Sequence, residues 1–268
     1  MPHFSRDGLN FHYRDEGVGQ PFFFQHGLGG DVNQPFGLFT PPAGVRLVAF
    51  DCRAHGQTRP LGDIDKIGLA SFADDLRALM DQLALGRAII GGISMGAAVA
   101  LNFALRFPDR LTGLVLSRPA WLNGPMEPTS VRVSSYIAQL IRQYGVKAGL
   151  SKFKTSDIYL ETMRLSPDSA NSLAGQFENP RAEETVVKLE RLPLDAPNLD
   201  RAEWKKIKVP TLVLANRQDP VHPFEYGEIL ASEIPDAEFR EITAKSVSKD
   251  RHARDVQSFI ETFLGEHF

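Results

Sequence analysis

Cysteine is almost absent from this chain. Cys52 is the only one in 268 residues, which excludes an intrachain disulfide and a cysteine-based structural zinc site. No apolar run approaches the roughly 18 residues of a membrane-crossing helix, and the opening Met1-Pro2-His3-Phe4-Ser5-Arg6-Asp7 lacks the apolar stretch of a secretory leader. Long runs of like charge, internal repeats and low-complexity segments are missing too. With Lys+Arg at 30 and Asp+Glu at 33, the formal charge is -3, so bulk attraction for nucleic acid or an anionic membrane is not expected. These absences lead us to expect a cytoplasmic protein with no nucleic-acid or membrane partner. They leave the oligomeric state open.

A composition of 43% hydrophobic and 24% charged residues suits one large α/β domain or a core carrying an insertion. Asp7-Gly8, between Phe4–Arg6 and Leu9–Arg14, reads as a hairpin. Phe22–Gln25, Arg46–Phe50, Arg87–Gly91, Leu111–Leu116, Pro210–Ala215 and Glu238–Thr243 read as buried strands. Ser71–Leu83, Met95–Leu105, Phe224–Glu233 and Asp250–Leu264 read as helices. In the first of these helices, Ser71 with Asp74 resembles a capping box. Strands alternating with helices predict a mostly parallel sheet covered on both faces. Between Trp121 and Lys206 the rhythm changes to amphipathic helical segments, among them Ser135–Tyr144 and Ala182–Leu192, punctuated by proline. The expected organisation is therefore a core of residues 1–121 and 206–268 with a helical cap at 122–205.

The segment Gly92-Ile93-Ser94-Met95-Gly96 lies between an apolar strand and an apolar helix. That is the strand–turn–helix setting of a G-x-S-x-G nucleophile elbow, in which small residues let strand and helix pass close to a strained serine. His26-Gly27-Leu28-Gly29-Gly30, Asp51-Cys52-Arg53-Ala54-His55-Gly56 and a strand followed by Asp219 accompany it in order. Together these segments resemble the α/β-hydrolase superfamily, over essentially the whole core. The resemblance implies that fold, with a mostly parallel central sheet and an inserted helical cap. The superfamily holds esterases, lactonases, thioesterases, carbon–carbon bond hydrolases and non-catalytic receptors, so fold does not settle function.

By the resemblance, Ser94 is the nucleophile, Asp219 the acid that orients an imidazole, and the backbone N–H groups of Leu28 and Met95 the oxyanion donors. A serine in place of an aspartate argues against haloalkane dehalogenase and epoxide hydrolase chemistry. The base is where the sequence departs from the family. Gly-His usually follows the last strand, and here that place reads Ala244-Lys245-Ser246-Val247. Two histidines remain: His252, near the start of the last helix, which is the preferred assignment, and His222, three residues after Asp219. A chain without a working base is the third possibility. His26 reads as a structural histidine and Cys52 as a buried, inert thiol. Arg118 and Trp121, just past a strand end, are expected to line the substrate site, Arg118 as a grip for a carboxylate. The reading that the resemblance implies is a serine hydrolase with a small-molecule substrate, an ester, lactone or thioester of a small organic acid, cleaved through an acyl-enzyme on Ser94 with no metal or organic cofactor. A carbon–carbon bond hydrolase or a non-hydrolytic binding protein would share the same parts.

Overall fold

The computed structural model describes residues 2–268. Its strands are β1 (His3–Arg6), β2 (Leu9–Gly17), β3 (Gln20–Gln25), β4 (Val45–Phe50), β5 (Ala88–Ile93), β6 (Leu111–Ser117), β7 (Thr211–Ala215) and β8 (Ala237–Glu241). Its helices are α1 (Asn33–Leu38), α2 (Leu69–Gln82), α3 (Met95–Arg106), α4 (Pro128–Lys154), α5 (Asp157–Leu165), α6 (Pro167–Glu178), α7 (Val187–Arg191), α8 (Phe224–Glu233) and α9 (Lys249–His267). The strands form one sheet in the order β1-β2-β4-β3-β5-β6-β7-β8. The pairs β1/β2 and β2/β4 are antiparallel and every other pair is parallel.

Alternation along the strands divides the core between the two faces of the sheet. In β3, Phe23 joins a cluster with Phe72, Leu76 and Met80 of α2 and Val99 and Phe103 of α3. Its neighbours Phe22 and Phe24 point the other way, onto Phe39, Val256, Ile260 and Phe263. Each of the three phenylalanines is fully buried, which stabilises the fold by roughly 1.5–3 kcal/mol per ring. Both faces are thus covered, as a parallel sheet requires.

The Ser71–Asp74 capping box does not form. Helix α2 starts earlier, with Gly68 at its N-cap and no side-chain cap of its own. The carboxylate of Asp195 accepts from the Leu69 N–H at 2.7 Å instead, so a residue distant in sequence satisfies the open amide. The segment between β6 and β7 carries α4 to α7 and no strand. Ser135–Tyr144 falls inside α4, which breaks at Gly145 where φ is +71°. Of the expected Ala182–Leu192 helix, only Val187–Arg191 is α-helical. Helices α5 and α6 were not foreseen; their N-caps, Ser156 and Ser166, each accept a backbone N–H. This segment packs around its own cluster, which includes Ile137, Ile141, Phe153 and Phe177.

The strand order reverses between β3 and β5: β4 lies to one side of β3, and β6 and β7 lie beyond β5. Such a switch point opens a crevice beyond the carboxyl ends of the strands. Residues following β3, β5, β6, β7 and β8 meet there around one cavity of about 350 Å³.

Candidate active site

Ser94 is the first contributor. It follows β5 and caps α3 with φ +57° and ψ -108°, a conformation costly for any residue with a Cβ. Its N–H donates to Ser117 O at 2.9 Å, and its carbonyl accepts from Ala97 and Ala98. The strain persists because the strand and helix leave no room to relax. A Cβ on Gly92 would strike the Gly96 backbone, and one on Gly96 would strike the carbonyl of Gln25. The two glycines are thus required by close approach, as an elbow of this kind demands.

The loop after β7 brings the imidazole. Asp219 Oδ1 accepts from the N–H groups of Val221 and His222, each at 3.2 Å. This turn folds the His222 ring back over the same carboxylate. Nδ1 of His222 lies 3.0 Å from Asp219 Oδ2, and Nε2 lies 2.8 Å from Ser94 Oγ. With the proton on Nδ1 donated to Asp219, Nε2 is free to accept from the serine hydroxyl, the arrangement that activates a weak nucleophile.

His252 does not take part in this contact. It sits in the first turn of α9, whose N-cap Ser248 accepts the Arg251 N–H through its hydroxyl. Its own N–H donates to Ser248 O at 3.0 Å. Its Nδ1 lies 2.9 Å from Thr243 O, and its Nε2 is buried without a hydrogen bond. Neither ring nitrogen is bonded to Ser94. The assignment of the base by position along the chain therefore gives way to His222, which reaches the serine from the acid's own loop.

Arg118 and Trp121 both line the cavity. Arg118 is not a free grip. Its Nε donates to Asp219 Oδ2 at 3.1 Å, and its Nη2 makes a further, shorter bond to the same oxygen. Nη2 also lies 3.1 Å from His222 Nδ1, which places a cation against the imidazole. The Trp121 side chain is buried, and its Nε1 has no hydrogen-bond partner.

The loop after β3 is held from three sides. Gln34 Oε1 accepts the Gly27 N–H at 2.7 Å. The Nδ1 of His26 lies 2.8 Å from Gly27 O, and its Nε2 accepts from Cys52 N at 3.1 Å. His55 Nε2 lies 3.0 Å from Leu28 O. Among the described residues, no acceptor takes the backbone N–H of Leu28 or of Met95, and unspent donors of this kind are able to hold a developing oxyanion. Cys52 is fully buried, and that burial raises its thiol well above the ordinary range, so it lacks the thiolate character of a reactive cysteine.

The electrostatics follow from these contacts. Burial opposes ionisation of Asp219, but His222 and Arg118 outweigh it and hold the carboxyl well below the usual range. For His222, burial lowers the pKa, Asp219 raises it and Arg118 lowers it, with a net downward shift. The imidazole thus stays neutral, and able to accept a proton, into mildly acidic solution. Among the described residues, one His/Cys/Asp/Glu trio is close enough to share a metal ion: Glu238, Glu266 and His267. None of the three lines the cavity.

Two cavity-lining charges, Asp168 and Lys245, were not assigned a role from sequence. Lys245 follows β8 and faces the same cavity as Ser94, Arg118 and His222. The signal was its position, at the place where a histidine was expected.

These features define a class: the chain belongs to the alpha/beta hydrolase fold family, whose model matches residues 20–246. Among similar proteins, "3-oxoadipate enol-lactonase 2" of Acinetobacter baylyi is 25% identical over 95% of this chain and 97% of its own length. The "2-hydroxy-6-oxononadienedioate/2-hydroxy-6-oxononatrienedioate hydrolase" of Comamonas testosteroni is 28% identical over 86% of this chain and 82% of its own. Among solved structures, the enol-lactonase from Burkholderia xenovorans LB400 superposes with a TM-score of 0.72 at 23% identity, covering 98% of this chain and 100% of its own. No helix among the described residues is long and apolar enough to cross a membrane.

Proposed function

We propose that the protein is a serine hydrolase that opens an ester or lactone of a small organic acid through an acyl-enzyme on Ser94. The observation that carries this reading is the unbroken relay from Ser94 Oγ to His222 Nε2, and from His222 Nδ1 to Asp219, at 2.8 and 3.0 Å. His222 takes the Ser94 proton as the hydroxyl attacks the acyl carbon, and it returns that proton to the leaving oxygen. Asp219 stays ionised and supports the imidazolium that forms. The Leu28 and Met95 amides receive the negative charge of the tetrahedral intermediate. Water, activated by the same imidazole, then releases the acid.

The helical segment 122–205 acts as a cap, supplying Thr129, Ser130, Val133, Ser134 and Gln176 to the cavity wall. The enol-lactonases among the similar proteins support ester or lactone chemistry. The Comamonas testosteroni relative favours a second reading, hydrolysis of a carbon–carbon bond by the same residues. An imidazole within hydrogen-bond reach of Ser94 speaks against a binding protein that has lost its base.

Fluorophosphonate labelling of the intact protein, with the adduct mapped by mass spectrometry, tests the proposal. One adduct on Ser94 is expected. Folded protein that takes up no label contradicts it. A panel of aryl esters, simple lactones and a vinylogous 1,5-diketone then separates the two reactions.

A further inference from the structure

The charges around the cavity do not balance, and the imbalance sits on one residue. Four charged or titratable side chains line the cavity: Arg118, Asp168, His222 and Lys245. Arg118 is neutralised by Asp219, to which it donates twice. Asp168 has Lys249 Nζ at 3.9 Å. His222 is held neutral by its surroundings. Among the described residues, Lys245 has neither an ion pair nor a hydrogen bond, although it is half-buried. Burial and the nearby Arg118 push its ammonium below the usual lysine range, while Asp168 and Asp219 pull the other way.

A half-desolvated ammonium without a counter-ion is costly unless something arrives to pair with it. The cavity is therefore short of one negative charge. A carboxylate monoanion supplies one. A phosphate dianion would overshoot and face Asp168 across the same space.

We infer that Lys245 binds a carboxylate carried by the substrate, so that the preferred ester or lactone is one whose acid or leaving portion bears a second, free carboxyl group. This rests on the reading of the cavity as the substrate site of a serine hydrolase. Arg118, spent on Asp219, is not the residue that grips this group; Lys245 is. A lysine suits the task because its ammonium is a compact point charge on a flexible stem.

The test pairs two p-nitrophenyl esters of similar length, the glutarate monoester with its free carboxylate and the neutral valerate. Wild-type protein is expected to prefer the glutarate monoester in kcat/KM. In Lys245→Met that preference falls by about tenfold, largely through KM, as removal of a partly buried charge partner would do. Lys245→Arg restores most of it. A preference that is the same in wild type and Lys245→Met overturns the inference while leaving the serine hydrolase reading intact.

Binding of the monoanion monomethyl glutarate to the Ser94→Ala protein, by calorimetry, separates the two failures. If neither ester is turned over but monomethyl glutarate binds and Lys245→Met in that background weakens it about tenfold, the carboxylate site stands and the hydrolase reading falls. Monomethyl glutarate binding that Lys245→Met leaves unchanged overturns the site.

Discussion

Lys188 gives the most quantitative prediction, because the structure buries its amine without a hydrogen-bond partner. The residue is 2% exposed. Burial, reinforced by Arg181, lowers its pKa from 10.5 to about 7. In the unfolded chain the amine takes up its proton near 10.4. Between those values the unfolded state binds more protons than the folded state, so stability falls as the pH drops. Linkage puts the cost at about 4 kcal/mol at pH 7 and about 1 kcal/mol at pH 10.

Lys188→Met keeps the length of the side chain and removes both the charge and the unmet donor. Imperfect packing of the thioether gives back about 1 kcal/mol. The expected result is a protein about 3 kcal/mol more stable at pH 7, which for a chain of this size is roughly 6–12 °C in apparent midpoint. At pH 10 the gain is close to zero. Thermal and urea unfolding at both pH values measures it. A variant less stable than wild type at pH 7, or a gain that does not shrink at pH 10, refutes the reasoning.

Other expectations follow from the same geometry. Asp219→Asn removes the carboxylate that fixes the His222 tautomer, and kcat should fall by about 10³–10⁴, read by steady-state kinetics on an aryl ester. The downward shift at His222 places the acid limb of the labelling rate below the ordinary imidazole value of about 6.5; a limb at or above that value contradicts it. His252, pushed by burial to about 4, binds its proton later than the unfolded chain does. Stability should therefore decline as pH falls from about 6.5 to 4, and His252→Phe should flatten that decline in urea titrations. Asp195→Ala leaves the Leu69 amide without its acceptor and should cost about 1 kcal/mol, measured by denaturant midpoint.

Much of the core was legible because local rules and the fold agree there. Phe22, Phe23 and Phe24 could only be a strand buried on both sides. The Gly92–Gly96 segment required its strand and helix to cross closely. The site was harder to read where tertiary placement decides. Ser94, Leu28, Met95 and Asp219 are positioned by strand ends, which the sequence marks. The imidazole is positioned by an Asx-type turn at Asp219, and the spacing Asp-Pro-Val-His carries that signal only to a reader who asks what sits three residues beyond the acid. His252 was preferred for its place along the chain, yet its Nδ1 is held on the Thr243 carbonyl. Arg118 lines the cavity, but its partner Asp219 lies 101 residues away, and no pattern in the sequence links them. The α2 cap failed for the same reason, since Asp195 arrives from beyond α7.

The central claim is that His222 is the base for Ser94. It is tested most directly by fluorophosphonate labelling rates of wild type, His222→Ala and His252→Ala, all checked for folding by circular dichroism. The account predicts that His222→Ala loses labelling by about a thousandfold or more, while His252→Ala labels within a few-fold of wild type. The opposite order, with His252→Ala silent and His222→Ala still labelled on Ser94, would contradict it.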